Sequence, residues 1–499
     1  MIVSRRLGKG SAQENIAIRT ALIAVVSVGL ILRLGVTFEF PNINEPDEIY
    51  QTIEQAHRLT TGVGIVPWEF ERGIRSWVLP GLFAGLMDCS FWGRAPENYP
   101  AVIHIFMDLV SLVPVVCGFL WGLRIFGLGA AIVVGFVTAT WAELIYFAPH
   151  TLTEVAAGNL LPCALYLAYP DRHEVGAKRL FAAGVLFGLT FILRFHLAAA
   201  MAVAAACICG LQVRRWIPLL VGASIPVLAG GLLDTLTWQY PFQSVWLNIW
   251  VNLYEGISNR FAVLPWYYIL GFLGFYWGGA FAFIVFLALI GGRRLPLLLG
   301  VAAAIVITHS LIGHKDYRFI YPALPLIATL AGIGSVEMLH ALWVWVRPGF
   351  SRGYGVLMAT GVWGCVSVSL LASAPFQYLL LHSSGQIAAF RTLSRDDEVC
   401  GIGLYEMNVY QTPGYSYLRN GIKLYEINST NELLVNESNL NAIIAKNSVA
   451  LPEQSFSKWG CFDNGYEIRT NQLGSIRTFR RIEAAEPICI WRRQGECTR

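Results

Sequence analysis

The sequence predicts a polytopic α-helical membrane protein with about eleven transmembrane helices and a small soluble α/β domain at its C-terminal end. Three observations predict it. First, the 499-residue chain is 55% hydrophobic and only 14% charged, where a soluble globular chain carries about a quarter charged residues. Second, apolar runs of span length succeed one another as far as about residue 374, and the basic loops between them fall to one side. Third, from about residue 377 the runs become short and are bounded by turn residues, the pattern of strands. The net charge of +4 belongs to the loops between spans and makes no case for nucleic acid.

Arg5, Arg6, Lys9 and Arg19 place the start of the chain on the cytoplasmic side. The first apolar run, about 20–38, has full span length and no small-residue cleavage site, so it reads as a retained span. The polar stretch 39–76 then lies outside. The run 77–92 contains Pro80 and several glycines. Counted as a crossing, it would put every later basic loop on the wrong side. It therefore reads as an amphipathic or re-entrant helix on the outer surface, within an outer-face loop region over 39–100.

Further spans are predicted near 101–123, 128–147, 151–169, 180–195, 197–211, 216–234, 266–290, 295–311, 318–345 and 355–374. The basic loops 171–179, 212–215, 292–294 and 347–352 then all lie inside. The polar stretches 149–154, 235–265 and 313–318, with the region around Arg194, join the first loop outside. Residues 1–376 form the membrane domain and 377–499 the outer-face α/β domain. Within the latter, 386–393 has helical spacing, while 398–405, 422–427, 441–445 and 488–491 read as strands. Cys89, Cys117, Cys163, Cys207, Cys209 and Cys365 lie in apolar segments as packing residues. Cys400, Cys461, Cys489 and Cys497 lie in the tail, and a disulfide from Cys461 to Cys489 or Cys497 is expected there.

The candidate chemistry collects at the outer face. Asn44-Glu45-Pro46-Asp47-Glu48 carries two adjacent carboxylates, and Glu69, Arg72 and Arg75 follow Trp68. His150 and Glu154 open a span. Arg194 and His196 stand inside an apolar run, where an arginine is costly unless it faces a partner or a wet cavity. Asp234 ends a span, and His314-Lys315-Asp316-Tyr317-Arg318 joins two. Singly, each has a plain structural alternative: His150 as a helix-end residue, Arg194 paired with Asp234, Lys315 and Arg318 as snorkelling anchors. Together they suit transfer from a lipid phosphosugar. Cations neutralise a phosphate leaving group, and a carboxylate takes the proton of an attacking hydroxyl. No Walker pattern and no Gly-x-Gly-x-x-Gly opening a strand–helix unit is present.

Glu45-Pro46-Asp47-Glu48, Trp68-Glu69 through Gly73-Ile74-Arg75-Ser76-Trp77, and Gly313-His314-Lys315-Asp316-Tyr317-Arg318-Phe319-Ile320-Tyr321-Pro322 resemble the motifs of glycosyltransferase family 22. These are the GT-C mannosyltransferases that use dolichyl-phosphate mannose to build GPI anchors and N-glycan precursors. His150-Thr151-Leu152-Thr153-Glu154 resembles the family's Arg-Thr-Leu-x-Asn/Glu segment. The stretch from Tyr254-Glu255-Gly256 to Pro265-Trp266-Tyr267-Tyr268 resembles its loop ending in Pro-Trp-His-Trp-Tyr. The likeness covers about 15–345 and not the tail.

The resemblance implies a GT-C fold. The implied activity is inverting transfer of mannose, or another hexose, from a polyprenyl- or dolichyl-phosphate carrier to a hydroxyl of a glycan or glycolipid. It implies Asp47 as the catalytic carboxylate with Glu48 beside it, and His314, Lys315, Arg318 and Arg194 at the donor phosphate. Sugar or acceptor contacts would come from Trp68, Glu69, Arg72, Arg75, His150, Glu154, Asp234, Trp266 and Tyr267. No nucleotide cofactor and no metal is implied. Asn44-Glu45 stands where GPI-pathway members have a His before Pro-Asp-Glu, His150 replaces an Arg and Tyr267 a His, which leaves the acceptor and the sugar open. The large tail points to a bacterial relative in the inner membrane with its site facing the periplasm. An endoplasmic reticulum membrane with a lumenal site is the alternative. A transporter or flippase for lipid-linked sugars is the competing function, against which stand the lack of matching halves and the gathering of polar residues at one face. A ligase moving a whole glycan would share the fold.

Overall fold

The computed structural model describes residues 12–89, 98–169, 175–261, 263–346, 352–451, 456–473, 476–493, 495 and 497. Arg5, Arg6 and Lys9 at the start, residues 90–92 of the predicted surface run and residues 171–174 and 347–351 of the predicted inner loops lie outside them.

A helix stands at each predicted span. Six are long and apolar enough to cross a membrane: Ala12–Glu39, Tyr99–Phe126, Val213–Thr237, Tyr268–Arg294, Tyr317–Leu342 and Gly353–Leu371. Thr153–Ala168, Ala177–Leu193, Ala198–Cys209 and Pro296–Leu311 are shorter. The predicted span 128–147 breaks at Trp141, whose extended backbone separates Leu128–Thr140 from Ala142–Tyr146. Gly278, at φ +48, separates Tyr268–Trp277 from the helix Phe281–Arg294. Where helices touch most closely, glycine permits it. A Cβ on Gly184 would sit 2.1 Å from the carbonyl oxygen of Leu219, so Ala177–Leu193 lies directly against Val213–Thr237.

The predicted surface helix is present as Val78–Cys89. It buries Leu79, Phe83 and Met87, four residues apart, and leaves Leu82 exposed. It packs on Glu54–Thr61, a helix with a polar mean composition, and the two form a short outer layer over the bundle.

The C-terminal domain opens with the helices Ala374–Leu381 and Ser384–Ser394. Its strands are β1 (Gly401–Tyr405), β2 (Lys423–Ile427), β3 (Ala442–Lys446), β4 (Ser457–Phe462), β5 (Tyr466–Leu473), β6 (Ile476–Ala484) and β7 (Ile488–Arg492). Four of these match the predicted strands. β4, β5 and β6 were missed because their Lys, Trp, Arg and Glu residues do not form an apolar run. The main sheet has the order β2-β1-β3-β7-β4, with β1 parallel to β2 and β3, and β7 antiparallel to β3 and β4. β5 and β6 form a separate hairpin. Cys461 and Cys489 face each other across β4 and β7 and are bonded, one of the two expected pairings. Cys497 instead joins Cys400, tying the chain end to the approach to β1.

Backbone groups of this domain are fastened to the segment that follows the first long helix. The buried Glu54 carboxylate accepts N–H bonds from Ile65 at 2.9 Å, Tyr415 at 3.2 Å and Ser416 at 2.9 Å. Tyr50 Oη donates to the carbonyl oxygens of Val409 and Thr412. Gly414, at φ +67, has the Glu54 Oε2 only 2.8 Å from where a Cβ would stand, so both conformation and space require glycine there.

Candidate active site

Local sequence sets the position of the two leading carboxylates. Glu45 is the N-cap of a one-turn helix, Pro46–Glu48, with proline at the first helical position where its missing N–H costs nothing. Glu48 closes a capping box, accepting from the backbone N–H of Asn44 at 2.5 Å and of Glu45 at 3.4 Å. Its other oxygen meets His150 Nδ1 at 2.5 Å. Both Glu48 and His150 are thereby buried behind the site wall. Asp47, one residue earlier on the turn, points the other way. A π-helical turn, Ile49–Ile53, follows directly.

Asp47 faces a cavity of about 760 Å³. The cavity lies between the loops that carry residues 44–75 and 248–268, the ends of the membrane helices and the C-terminal domain. The Asp47 Oδ2 accepts from Arg318 Nη2 at 2.7 Å, and Arg318 Nε donates to Asp316 Oδ2 at 2.9 Å. The Asp47 side chain remains 30% exposed into the cavity, while Arg318 is buried. Desolvation would raise the Asp47 pKa, but Arg318 and then Arg75 outweigh it and hold the carboxyl below the usual range. Glu45, on the same wall, moves the other way, pushed well up by burial and by the neighbouring Asp316. Adjacent carboxyls are thus separated, with Asp47 the one held as an anion.

The helix Trp68–Glu71 supplies Glu69, which accepts from Gln51 Nε2 at 2.9 Å and lies 3.7 Å from Arg75. Burial raises its pKa and Arg75 opposes the rise. Trp68, Glu69 and Arg75 all line the cavity.

His314 and Lys315 line it too. Lys315 Nζ donates to the carbonyl oxygens of Leu264 at 2.7 Å and Ile312 at 2.5 Å, fastening the loop that carries Leu264 to the helix end, and an ammonium has a third N–H. Burial lowers the Lys315 pKa. The pairing of Val263 with His314 holds the same junction.

Several predicted site residues are placed otherwise. Arg194 lines the cavity but its Nη2 is 2.9 Å from Glu154, so it pairs with Glu154 and not with Asp234. Asp234 is held by Ser244 N–H at 2.9 Å and Ser244 Oγ at 2.6 Å, away from the cavity lining, because it ends its helix beneath the next turn. Arg72 turns to the surface in a two-bond pair with Glu255, each bond 2.8 Å. Trp266 and Tyr267 are 65% and 54% exposed, and it is their neighbours Leu264 and Tyr268 that line the cavity.

The lining also includes residues the sequence reading passed over. Asp316 was visible inside the motif. His309, five residues before His314 in an apolar helix, carried the same cost signal as Arg194. Arg260 and Tyr410 sit in loops with no pattern. Tyr378, Tyr410 and Ile468 bring the C-terminal domain into the lining.

The model of the Alg9-like mannosyltransferase family matches residues 24–419. The chain is 25% identical over 399 residues to GPI mannosyltransferase 3 of Yarrowia lipolytica, covering 76% of this chain and 72% of that protein. It is 23% identical over 318 residues to GPI alpha-1,2-mannosyltransferase 3 of Xenopus laevis, covering 58% and 55%. In structure it is similar to ArnT from Cupriavidus metallidurans bound to undecaprenyl phosphate, with a TM-score of 0.59 at 11% identity, covering 96% of this chain and 99% of that one. At that identity the likeness is one of fold, with a sheet-bearing domain following a helical membrane bundle.

Proposed function

The chain belongs to the Alg9-like mannosyltransferase family and is an integral membrane mannosyltransferase that uses lipid-linked sugar, and from that premise we propose that it moves mannose, with inversion, from a polyprenyl- or dolichyl-phosphate carrier to a hydroxyl of a glycan or glycolipid. The observation that carries the reading is the Asp47–Arg318 pair, an anionic carboxylate on the cavity wall with cations of the same segment beside it. The polyprenyl carrier is supported by the shared fold with ArnT, whose structure holds undecaprenyl phosphate.

In this mechanism the acceptor hydroxyl gives its proton to Asp47 as its oxygen bonds to the anomeric carbon. The bond from that carbon to the phosphate oxygen breaks on the opposite face. Lys315, His314 and Arg318 take up the charge that develops on the phosphate, with no nucleotide or metal required. Lys315 is the better phosphate ligand, because its ammonium keeps a third N–H while Arg194 is engaged by Glu154 and Arg318 is shared by two carboxylates. Tyr378, Tyr410 and Ile468 border the acceptor. We place this cavity and the C-terminal domain on the outer face, with the basic loops inside, and Cys400–Cys497 and Cys461–Cys489 fit an oxidising compartment.

The test is transfer of labelled mannose from polyprenyl-phosphate mannose by purified protein to glycan acceptors, wild type against Asp47→Asn. Loss of transfer with retained binding of polyprenyl phosphate supports the reading. Transfer within a few-fold of wild type removes Asp47 from the mechanism.

A further inference from the structure

A second polar group lines the same cavity beyond Arg318. It comprises Glu154, Arg194, His196 and His309, each at or near the end of an apolar helix. Phe319 joins it to the proposed phosphate side, since the guanidinium carbons of Arg194 and Arg318 lie 5.1 Å and 5.4 Å from its ring centroid.

The bonding within this group is incomplete in a specific way. His309 is 3% exposed, and its Nδ1 sits 2.9 Å from the carbonyl oxygen of Ile305. A carbonyl only accepts, so in the neutral ring Nδ1 carries the proton and Nε2 is a bare acceptor. That Nε2 is buried and has no partner among the described residues. The same holds for Arg194 Nε, a donor, and for His196 Nδ1. Glu154 gives one oxygen to Arg194 Nη2 at 2.9 Å and the other to Thr153 Oγ1 at 3.0 Å, each with acceptor capacity left. Buried polar atoms left unpaired lower stability, so such a cluster persists where a ligand completes it.

The mixture selects the ligand class. A phosphate offers only acceptor oxygens at neutral pH, which Glu154 and the His309 Nε2 repel. Sugar hydroxyls both donate and accept, so one can donate its hydrogen to His309 Nε2 and another to Glu154, while a lone pair accepts from Arg194 Nε. The donor's sugar fits better than the acceptor's, because His309 and the phosphate-side residues Lys315 and Arg318 belong to one short segment, while the C-terminal domain borders the acceptor.

We propose that Glu154, Arg194, His196 and His309 form the subsite that reads the hydroxyls of the donor hexose. This rests on the mannosyl-transfer reading above.

The experiment measures binding of polyprenyl-phosphate mannose, polyprenyl-phosphate glucose and unsugared polyprenyl phosphate to purified full-length protein, for wild type, His309→Ala and His309→Gln. The expected result is that His309→Ala weakens binding of the mannosyl lipid by about threefold to tenfold, the worth of one hydrogen bond. Its preference for mannose over glucose should shrink, its affinity for polyprenyl phosphate should be unchanged, and His309→Gln, which restores an acceptor, should recover part of the loss. Equal weakening on the sugared and unsugared lipids, or no weakening on either, overturns the subsite. Those results leave mannosyl transfer by the wild type standing, whereas a wild type that neither binds nor transfers from the mannosyl lipid overturns both.

Discussion

Two arginines buried among membrane helices, Arg33 and Arg318, do opposite things. Arg33 is fully buried and its bonds go to neutral groups: Nε to Ser111 Oγ at 2.7 Å, and Nη1 to the carbonyl oxygens of Gly29 at 2.9 Å and Ala139 at 3.0 Å. It stitches three helices together and lies outside the lining of the cavity that Asp47 faces. Nearby, Thr37 Oγ1 donates to Asp108 at 2.6 Å in the same enclosed layer. Arg318 bonds two carboxylates, one of them on a loop far away in sequence, and both face a cavity. A buried arginine in an apolar run is therefore not itself a sign of function. The sign is a set of partners that keep formal charge next to open space. Arg194, bonded to Glu154 on the cavity wall, falls in the second class.

The largest effect expected from this contrast is at Asp47. Asp47→Asn keeps the size, removes the base and should lower turnover by about 10²–10⁴-fold. A steady-state assay at saturating donor measures it, and a few-fold change would place Asp47 with Arg33 as structural.

Arg318→Met sharpens the same point through pH. In the wild type the depressed Asp47 pKa means the carboxylate is ionised, and its contribution to stability complete, above the ordinary carboxyl pKa of about 4. That contribution is lost as pH falls through the depressed folded value. Removing Arg318 leaves burial unopposed by its main cation, so the acid limb of the kcat/KM profile should move up by about one pH unit or more. An unmoved limb would dissociate the titrating group from Asp47.

Arg33→Met should do the reverse. It should cost about 1–3 kcal/mol of stability through the stranded hydroxyl and carbonyls, seen as a lower midpoint in thermal unfolding, with donor and acceptor KM unchanged in the folded protein. A raised donor KM would undo the comparison.

Lys315→Ala is intermediate, because Lys315 both fastens the 264–312 junction and faces the cavity. Donor KM should rise, or turnover fall, by about tenfold. The smallest effect belongs to Arg72→Ala. Its pair with Glu255 is at the surface, so kcat/KM should change by no more than about twofold. A tenfold change would mean that the outer loop carrying Glu255 closes over substrate.

The bundle was legible because hydrophobic spans must be long and continuous, and because basic loops mark a side. The run read as a surface helix is the helix Val78–Cys89, whose 12 residues fall short of a span. The motif residues Asp47, Lys315 and Arg318 were legible through their spacing and resemblance, and they do meet at one cavity. The partner of Arg194 was not legible, since its pairing with Glu154 depends on which helix ends converge. β4, at the edge of the main sheet, and the β5–β6 hairpin were illegible because strands outside a sheet's interior need no continuous apolar run.

The sequence by itself determined the class of the molecule, the position of nearly every helix and the short segments that hold its charge, because each follows from local composition and from the cost of placing polar groups in lipid. Tertiary structure alone decided which charges face the cavity. Asp47 and Glu48 are neighbours in sequence, yet one turn of helix sends Asp47 into the cavity and Glu48 to His150. Tyr410 lines the same cavity from a segment that Tyr50 holds at Val409 and Thr412 and the buried Glu54 holds at Tyr415 and Ser416. Contacts between residues hundreds of positions apart depend on how helix ends and domain faces meet, and no local pattern encodes that.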